Sequence, residues 1–146
     1  MTAERHSRRA RPTSPSLDAL RPGLDARITE IVQPAHTARQ VGSGSVDSLA
    51  TPEMIRLMEM AALATVDLHL PPGTTSVGTH VDVRHLAATP VGMTVTVRAE
   101  LTLVEDRRLI FHVTAHDDVE LVGEGNHTRV VVDVTQFEGR LAAKAV

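Results

Sequence analysis

The chain of 146 residues has no cysteine, no tryptophan and no tyrosine, and its aromatic content is two phenylalanines, Phe111 and Phe137. Without cysteine there are no disulfides, no thiolate metal ligands and no cysteine nucleophile. So few aromatic rings leave no platform for stacking bases. A net charge of −3 supplies no basic field, so nucleic acid is not an expected partner. No apolar run approaches the roughly 18 residues of a membrane-spanning helix, so no membrane segment is expected. The opening stretch, MTAERHSRRARPTSPS, is basic, contains proline and serine, and lacks the apolar region of a secretory signal. Its composition is that of a disordered tail, set at residues 1–21, and a cytoplasmic home follows by default. A single domain over residues 22–146 is expected, since this length suits one core.

That core has to be aliphatic, built from Val, Leu, Ile, Ala and Met. Residues 24–32 (LDARITEIV) alternate roughly and read as a first strand. A Gly/Ser-rich loop, QVGSGSVDSLA, precedes Thr51-Pro52, which has the form of a helix start: Thr as N-cap, Pro at the first helical position, Glu53 at the positive dipole end. The helix is expected to run to about residue 69 and stop before PPG at 71–73. From Leu57 to Leu70 it is apolar nearly all round, apart from Glu59 and Asp67, which is the pattern of a buried helix.

The second half alternates. Residues 77–85, 93–103, 109–116 and 122–134 read as four strands, with EDRR at 105–108 as a hairpin turn. In the first of these, Val77, Val81, Val83 and His85 share one parity. Gly123 and Gly125 in the last suggest a bulge or a close backbone approach. Short connections imply antiparallel pairing. One apolar helix wrapped by a curved antiparallel sheet gives an α+β architecture of the hot-dog kind.

Two residues on this scaffold carry chemistry out of place. Glu59 sits between Met58 and Met60, and His85 lies on the valine parity that should face the helix. A buried carboxylate needs a partner, and a facing histidine would supply one, with pKa values shifted on both sides. An i,i+3 ion pair between Glu59 and Arg56 on an exposed flank is the plain alternative, and periodicity leaves both open. Thr51 has a complete structural explanation as an N-cap. Eight helical residues rise about 12 Å, so Thr51 and Glu59 of one chain cannot bond directly across a continuous helix. They serve one site only through a substrate, a break in the helix, or a dimer two-fold, which favours a site at a subunit interface.

Other candidates are weaker. Gly78 reads as a strand bulge, or as backbone that lets a substrate carbonyl approach an N–H. Arg129 in GNHTR reads as a polar strand residue, with a phosphate-holding role open. His112 and His116 share a strand face, but no third ligand has matching spacing, so no metal site is expected. VGSGSV at 41–46 lacks the strand and the G-K-S/T of a phosphate loop.

In their order, LATPEMIRLMEMAA, TTSVGTHVDVRHLAATPVGMTVTVRAEL, DRRLIFHVTAHDDVELVGEG and NHTRVVVD resemble the fluoroacetyl-CoA thioesterase-like family of hot-dog proteins, over about residues 22–140. The resemblance implies a homodimeric acyl-CoA thioesterase acting on a short or medium acyl group, with coenzyme A as part of the substrate and no separate cofactor. It implies Thr51, Glu59 and His85 as cooperating catalytic residues, and Gly78, His85 and Arg129 as substrate contacts. Where the family's fluoroacetyl-CoA enzyme carries an aromatic-rich lid before the threonine, residues 35–50 here are shorter and hold no phenylalanine. Selectivity for a fluorinated acetyl group is therefore not expected. A hydratase or dehydratase acting on a CoA or carrier-protein thioester, and a non-catalytic acyl-CoA binding module, are the alternative readings.

Overall fold

The alternating second half of the chain becomes four long strands. In the computed structural model, which describes residues 16–145, these are β2 (Thr74–His85), β3 (Thr94–Glu105), β4 (Arg108–His116) and β5 (Leu121–Asp133). They join β1 (Asp25–Ile31) in one antiparallel sheet of order β1-β3-β4-β5-β2, so β1 and β2 form its edges. The β3–β4 turn is tight, and Asp106 takes a left-handed φ of 54° there, a conformation Asp tolerates.

Across the inner face of the sheet lies α2 (Thr51–Val66), chiefly over β3 and β1. Val95, Val97, Ala99 and Leu101 of β3 and Leu109, Phe111, Val113 and Ala115 of β4 alternate inward and are fully buried against it. From the helix come Met54, Leu57, Met58, Ala61 and Ala62. Each larger side chain here contributes about 1.5–3 kcal/mol by leaving water. Gly123 and Gly125 prove to be close approaches. A Cβ on Gly123 would occupy the thioether of Met54, and one on Gly125 would strike the backbone of Asp82 and Val83.

Several expectations shift. The helix ends at Val66, and a 3-10 turn, Asp67–His69, carries the chain to Pro71. Residues 33–50 hold a 3-10 turn (Pro34–His36) and a one-turn helix, α1 (Ala38–Val41), closed by Gly42 at φ 87°. This strap is tied down through Ala38 N to Ser48 O, Ala50 N to His36 O and Leu49 N to Thr89 O, each 2.9 Å. A C-terminal helix, α3 (Val134–Lys144), follows β5, capped by Asp133. The tail expected at 1–21 lies outside the described residues up to 15. Leu20 is buried in the core and Leu17 packs on it, so the chain joins the domain before residue 22.

Candidate active site

The helix start governs the site. Ala50, not Thr51, is the N-cap, and no side chain caps the helix; Thr51 and Pro52 open its first turn. The Thr51 hydroxyl is therefore spent elsewhere: its Oγ1 lies 2.7 Å from Nδ1 of His85 at the end of β2. The spacing is set by packing, because Met54, one turn on, seats on Gly123, and Gly123 is the β5 residue paired with His85. Burial lowers the His85 imidazole below its usual value, with the Ala87 backbone opposing in part. Among the described residues no partner reaches Nε2 in hydrogen-bonding geometry, and that atom is buried. A neutral His85 beside a threonine hydroxyl is a base within reach of an oxygen nucleophile. Beside the pair lies a groove of about 440 Å³ lined by Ala38, Val46 and Leu49 of the strap, with Leu86 and Ala87 opposite.

Glu59 is not where its apolar neighbours suggested. It is exposed, two turns beyond Thr51, and does not meet His85 in the same chain. The Arg56 alternative fails as well, since Arg56 bonds Glu53 at 2.7 Å and Glu30 at 2.9 Å. The stripe of the helix through Ile55, Glu59, Met60 and Leu63, apolar but for Glu59, is left partly or wholly uncovered, with Met60 40% exposed.

The charge of Glu59 is instead felt at His127 and Arg129 of β5, where it only partly offsets the lowering of each pKa by burial. Arg129 is a buried cation, which the alternation did not foresee. Its Nε donates to Ser76 Oγ and one terminal nitrogen to Ser76 O, both at 2.8 Å. Its other terminal nitrogen lies 3.2 Å from Nε2 of His127. Desolvation pushes both groups below their ordinary values. Gly78 pairs with Arg129, and a Cβ there would lie 3.1 Å from the His127 ring and 3.5 Å from the guanidinium. Thr79 is the extra residue of a bulge between Gly78 and His80. It resets the parity, so Val77 pairs on the outer face while Ser76, Gly78, Val83 and His85 face inward.

The five positions thus form two groups on one chain: Thr51 with His85, and Glu59 with Gly78 and Arg129. Gly78 and His85 lie seven residues apart on β2, roughly 20 Å at the strand rise. His127 and Ser76 were missed. Extending the alternation of β5 inward from Val131 through Arg129 would have exposed His127. His112 pairs with Glu124 at 3.0 Å and His116 is exposed, and no metal-holding cluster occurs among the described residues. No described helix is long and apolar enough to cross a membrane.

Residues 32–135 match the sequence profile of a family described as fluoroacetyl-CoA-specific thioesterase. The chain is 39% identical over 133 residues to the fluoroacetyl-CoA thioesterase of Streptantibioticus cattleyicolor, covering 87% of this chain and 96% of that protein. A solved structure of the fluoroacetyl-CoA thioesterase superposes with a TM-score of 0.81 at 38% identity, over 86% of this chain and 97% of that one. A hypothetical protein of Thermus thermophilus, described as a thioesterase superfamily member, gives 0.81 at 27% identity over 86% and 93%. A hot-dog-like protein of Thermanaerovibrio acidaminovorans gives 0.81 at 26% identity over 87% and 94%.

Proposed function

The chain belongs to the fluoroacetyl-CoA-specific thioesterase family, and from that premise we propose that it hydrolyses acyl-CoA thioesters at a site completed by a second copy of itself. The observation that carries the reading is the split of the site into two half-sites with unmet needs. His85 presents a buried Nε2 without a partner. Glu59 stands exposed on a helix stripe that is otherwise apolar. β2 is a 12-residue edge strand, open to pairing with another strand. An antiparallel β2–β2 pairing about a two-fold near residues 81 and 82 sets His85 of one copy opposite Gly78 of the other. Residues directly opposed across such a pair share a face. Glu59, Gly78 and Arg129 of one copy then meet Thr51 and His85 of its mate, and the open stripe of α2 gains cover.

In that site neutral His85 takes a proton from the Thr51 hydroxyl or from a water that Thr51 holds. The freed oxygen attacks the thioester carbonyl, and Glu59 stabilises or accepts the proton that His85 gains. The carbon–sulfur bond breaks, the CoA thiolate takes up a proton, and water supplies the hydroxyl of the product acid. Gly78 leaves room for the carbonyl at the backbone, beside the Arg129 cation. The groove beside Thr51 and His85 is lined by aliphatic side chains together with Ser43, Gly44 and Ser48, and no phenylalanine lines it. It therefore suits a short or medium acyl chain without selecting fluorine over hydrogen.

The test is thiol release, read with a thiol-reactive dye, across acyl-CoAs from acetyl to dodecanoyl and including fluoroacetyl-CoA. Hydrolysis is expected for at least one ester, with acetyl and fluoroacetyl treated alike. Glu59→Gln and His85→Gln should each lower it by about 10²–10⁴-fold. Full activity in Glu59→Gln would remove Glu59 from the mechanism. Turnover of an enoyl-CoA without thiol release would replace the hydrolase with a hydratase.

A further inference from the structure

His127 is 1% exposed, and each of its ring nitrogens meets a group that can play only one part. Nδ1 lies 2.8 Å from the carbonyl oxygen of His80, which only accepts, so Nδ1 carries the proton. Nε2 lies 3.2 Å from a guanidinium nitrogen of Arg129, which only donates, so Nε2 keeps its lone pair. Both ends specify the same neutral tautomer. A second proton would turn two N–H groups on each other and set two buried cations 3.2 Å apart.

Arg129 depends on this. Its three nitrogens are held by Ser76 Oγ, Ser76 O and His127 Nε2, which leaves two N–H groups without a partner among the described residues. No carboxylate reaches it within ion-pair distance among the described residues. The guanidinium is thus aimed by neutral groups, and His127 is the only one of them that titrates. The bond to His80 also ties the ring to the first residue after the bulge, on the strand that carries Gly78. The groups around the ring are Arg129 on its own strand, Glu59 on α2 and His80 on β2, while β4 offers only the Phe111 ring at 6.4 Å.

We propose that His127 is a positioning residue: as the Nδ1–H tautomer it holds the Arg129 guanidinium toward the substrate beside Gly78, and it releases that hold when it gains a proton. What Arg129 then meets rests on the thioesterase reading; the hold itself does not. The acid limb of the activity profile therefore contains two protonations, one at His85 and one at His127.

Two variants separate the parts. In His127→Gln the amide oxygen can occupy the Nε2 position, accept from Arg129 and never gain a proton. In His127→Asn the amide nitrogen can keep the His80 bond, but nothing reaches Arg129. The Gln variant is expected to recover most of kcat/KM at pH 8 and to show a shallower acid limb, near one proton instead of two. The Asn variant should lose about tenfold in kcat/KM, mainly through KM. Equal losses in the two variants, with the acid limb unaltered, would overturn the proposal. Nitrogen-15 NMR on the full chain provides a reading independent of turnover. The signal of the Arg129 terminal N–H that faces His127 should be protected from exchange at pH 8 and lose protection as His127 protonates, in the wild type alone. In the Gln variant protection should persist to low pH, and in the Asn variant it should be weak throughout. An Nε2–H tautomer, or an Arg129 signal indifferent to His127, would refute the hold even in an active enzyme. A chain that hydrolyses no ester yet shows these signals would refute the thioesterase reading and leave the hold intact.

Discussion

The contact that sets the distance between Thr51 and His85 is Met54 on Gly123, and it can be taken apart. Gly123 has no left-handed φ, so its backbone does not require glycine. It is glycine because a Cβ would overlap the Met54 sulfur and lie 3.0 Å from its methyl carbon. Alanine at 123 alone should cost about 1–3 kcal/mol by overpacking. Met54→Ala empties a site that is 0% exposed and should cost about 2–5 kcal/mol. In the double variant the new methyl enters space the thioether has left, and the next nearest atom is the Arg84 carbonyl oxygen at 3.3 Å. There the Gly123→Ala step should be neutral or stabilising by up to about 1 kcal/mol, since alanine restricts the unfolded chain. The change of sign between backgrounds is the prediction, read from urea midpoints at one protein concentration. Gly123→Ala alone should also lower hydrolysis more than its folded fraction explains, because lifting the first turn of α2 lengthens the 2.7 Å Thr51–His85 contact. An equal cost of Gly123→Ala in both backgrounds would refute the account of this seam.

Three further outcomes follow from the same structure. Burial holds His85 and His127 below the usual imidazole value, so below about pH 6.5 the unfolded chain binds protons that the folded one refuses. Stability should be full above that pH and fall as the pH drops toward the depressed folded values; urea midpoints flat from pH 7.5 to 5 would contradict this, and His127→Gln should reduce the slope. Asp117 accepts from the fully buried Thr89 hydroxyl at 3.0 Å and from the Val119 and Glu120 amides. Asp117→Ala should cost about 1–3 kcal/mol, mostly through the stranded Thr89, and Asp117→Asn should recover much of it in thermal melts. Arg56 binds two carboxylates but is 41% exposed, so Arg56→Ala should cost under about 1 kcal/mol, and less at high salt.

The alternation of β3 and β4 was legible because every inward position there is an aliphatic side chain or the one buried phenylalanine. The helix start was legible to within one residue, and that residue matters, since moving the cap to Ala50 frees the Thr51 hydroxyl for His85. The parity of β2 was not legible, because the single extra residue at Thr79 turns Val77 to the other face and leaves no mark on composition. Nor was the inner face of β5, where Gly123, Gly125, His127 and Arg129 occupy positions that elsewhere hold aliphatics. Glu59 misled for a different reason. Apolar neighbours signal that a face is to be covered, but not by what, and among the described residues of one chain nothing covers it. The resemblance to the family named the chemistry; the residue pattern alone reached only a carboxylate and a histidine on facing surfaces.

The most direct test of the composite site is to co-express Thr51→Ala and Glu59→Gln chains with different tags, purify the mixed assemblies and the two single variants, and measure thiol release. If Thr51 and His85 of one copy work with Glu59 of the other, each hybrid dimer regains one intact site of two. The purified hybrids should then recover about one half of wild-type activity while each variant alone stays inactive. Hybrids as inactive as their parents would place the whole site within one chain and contradict the account.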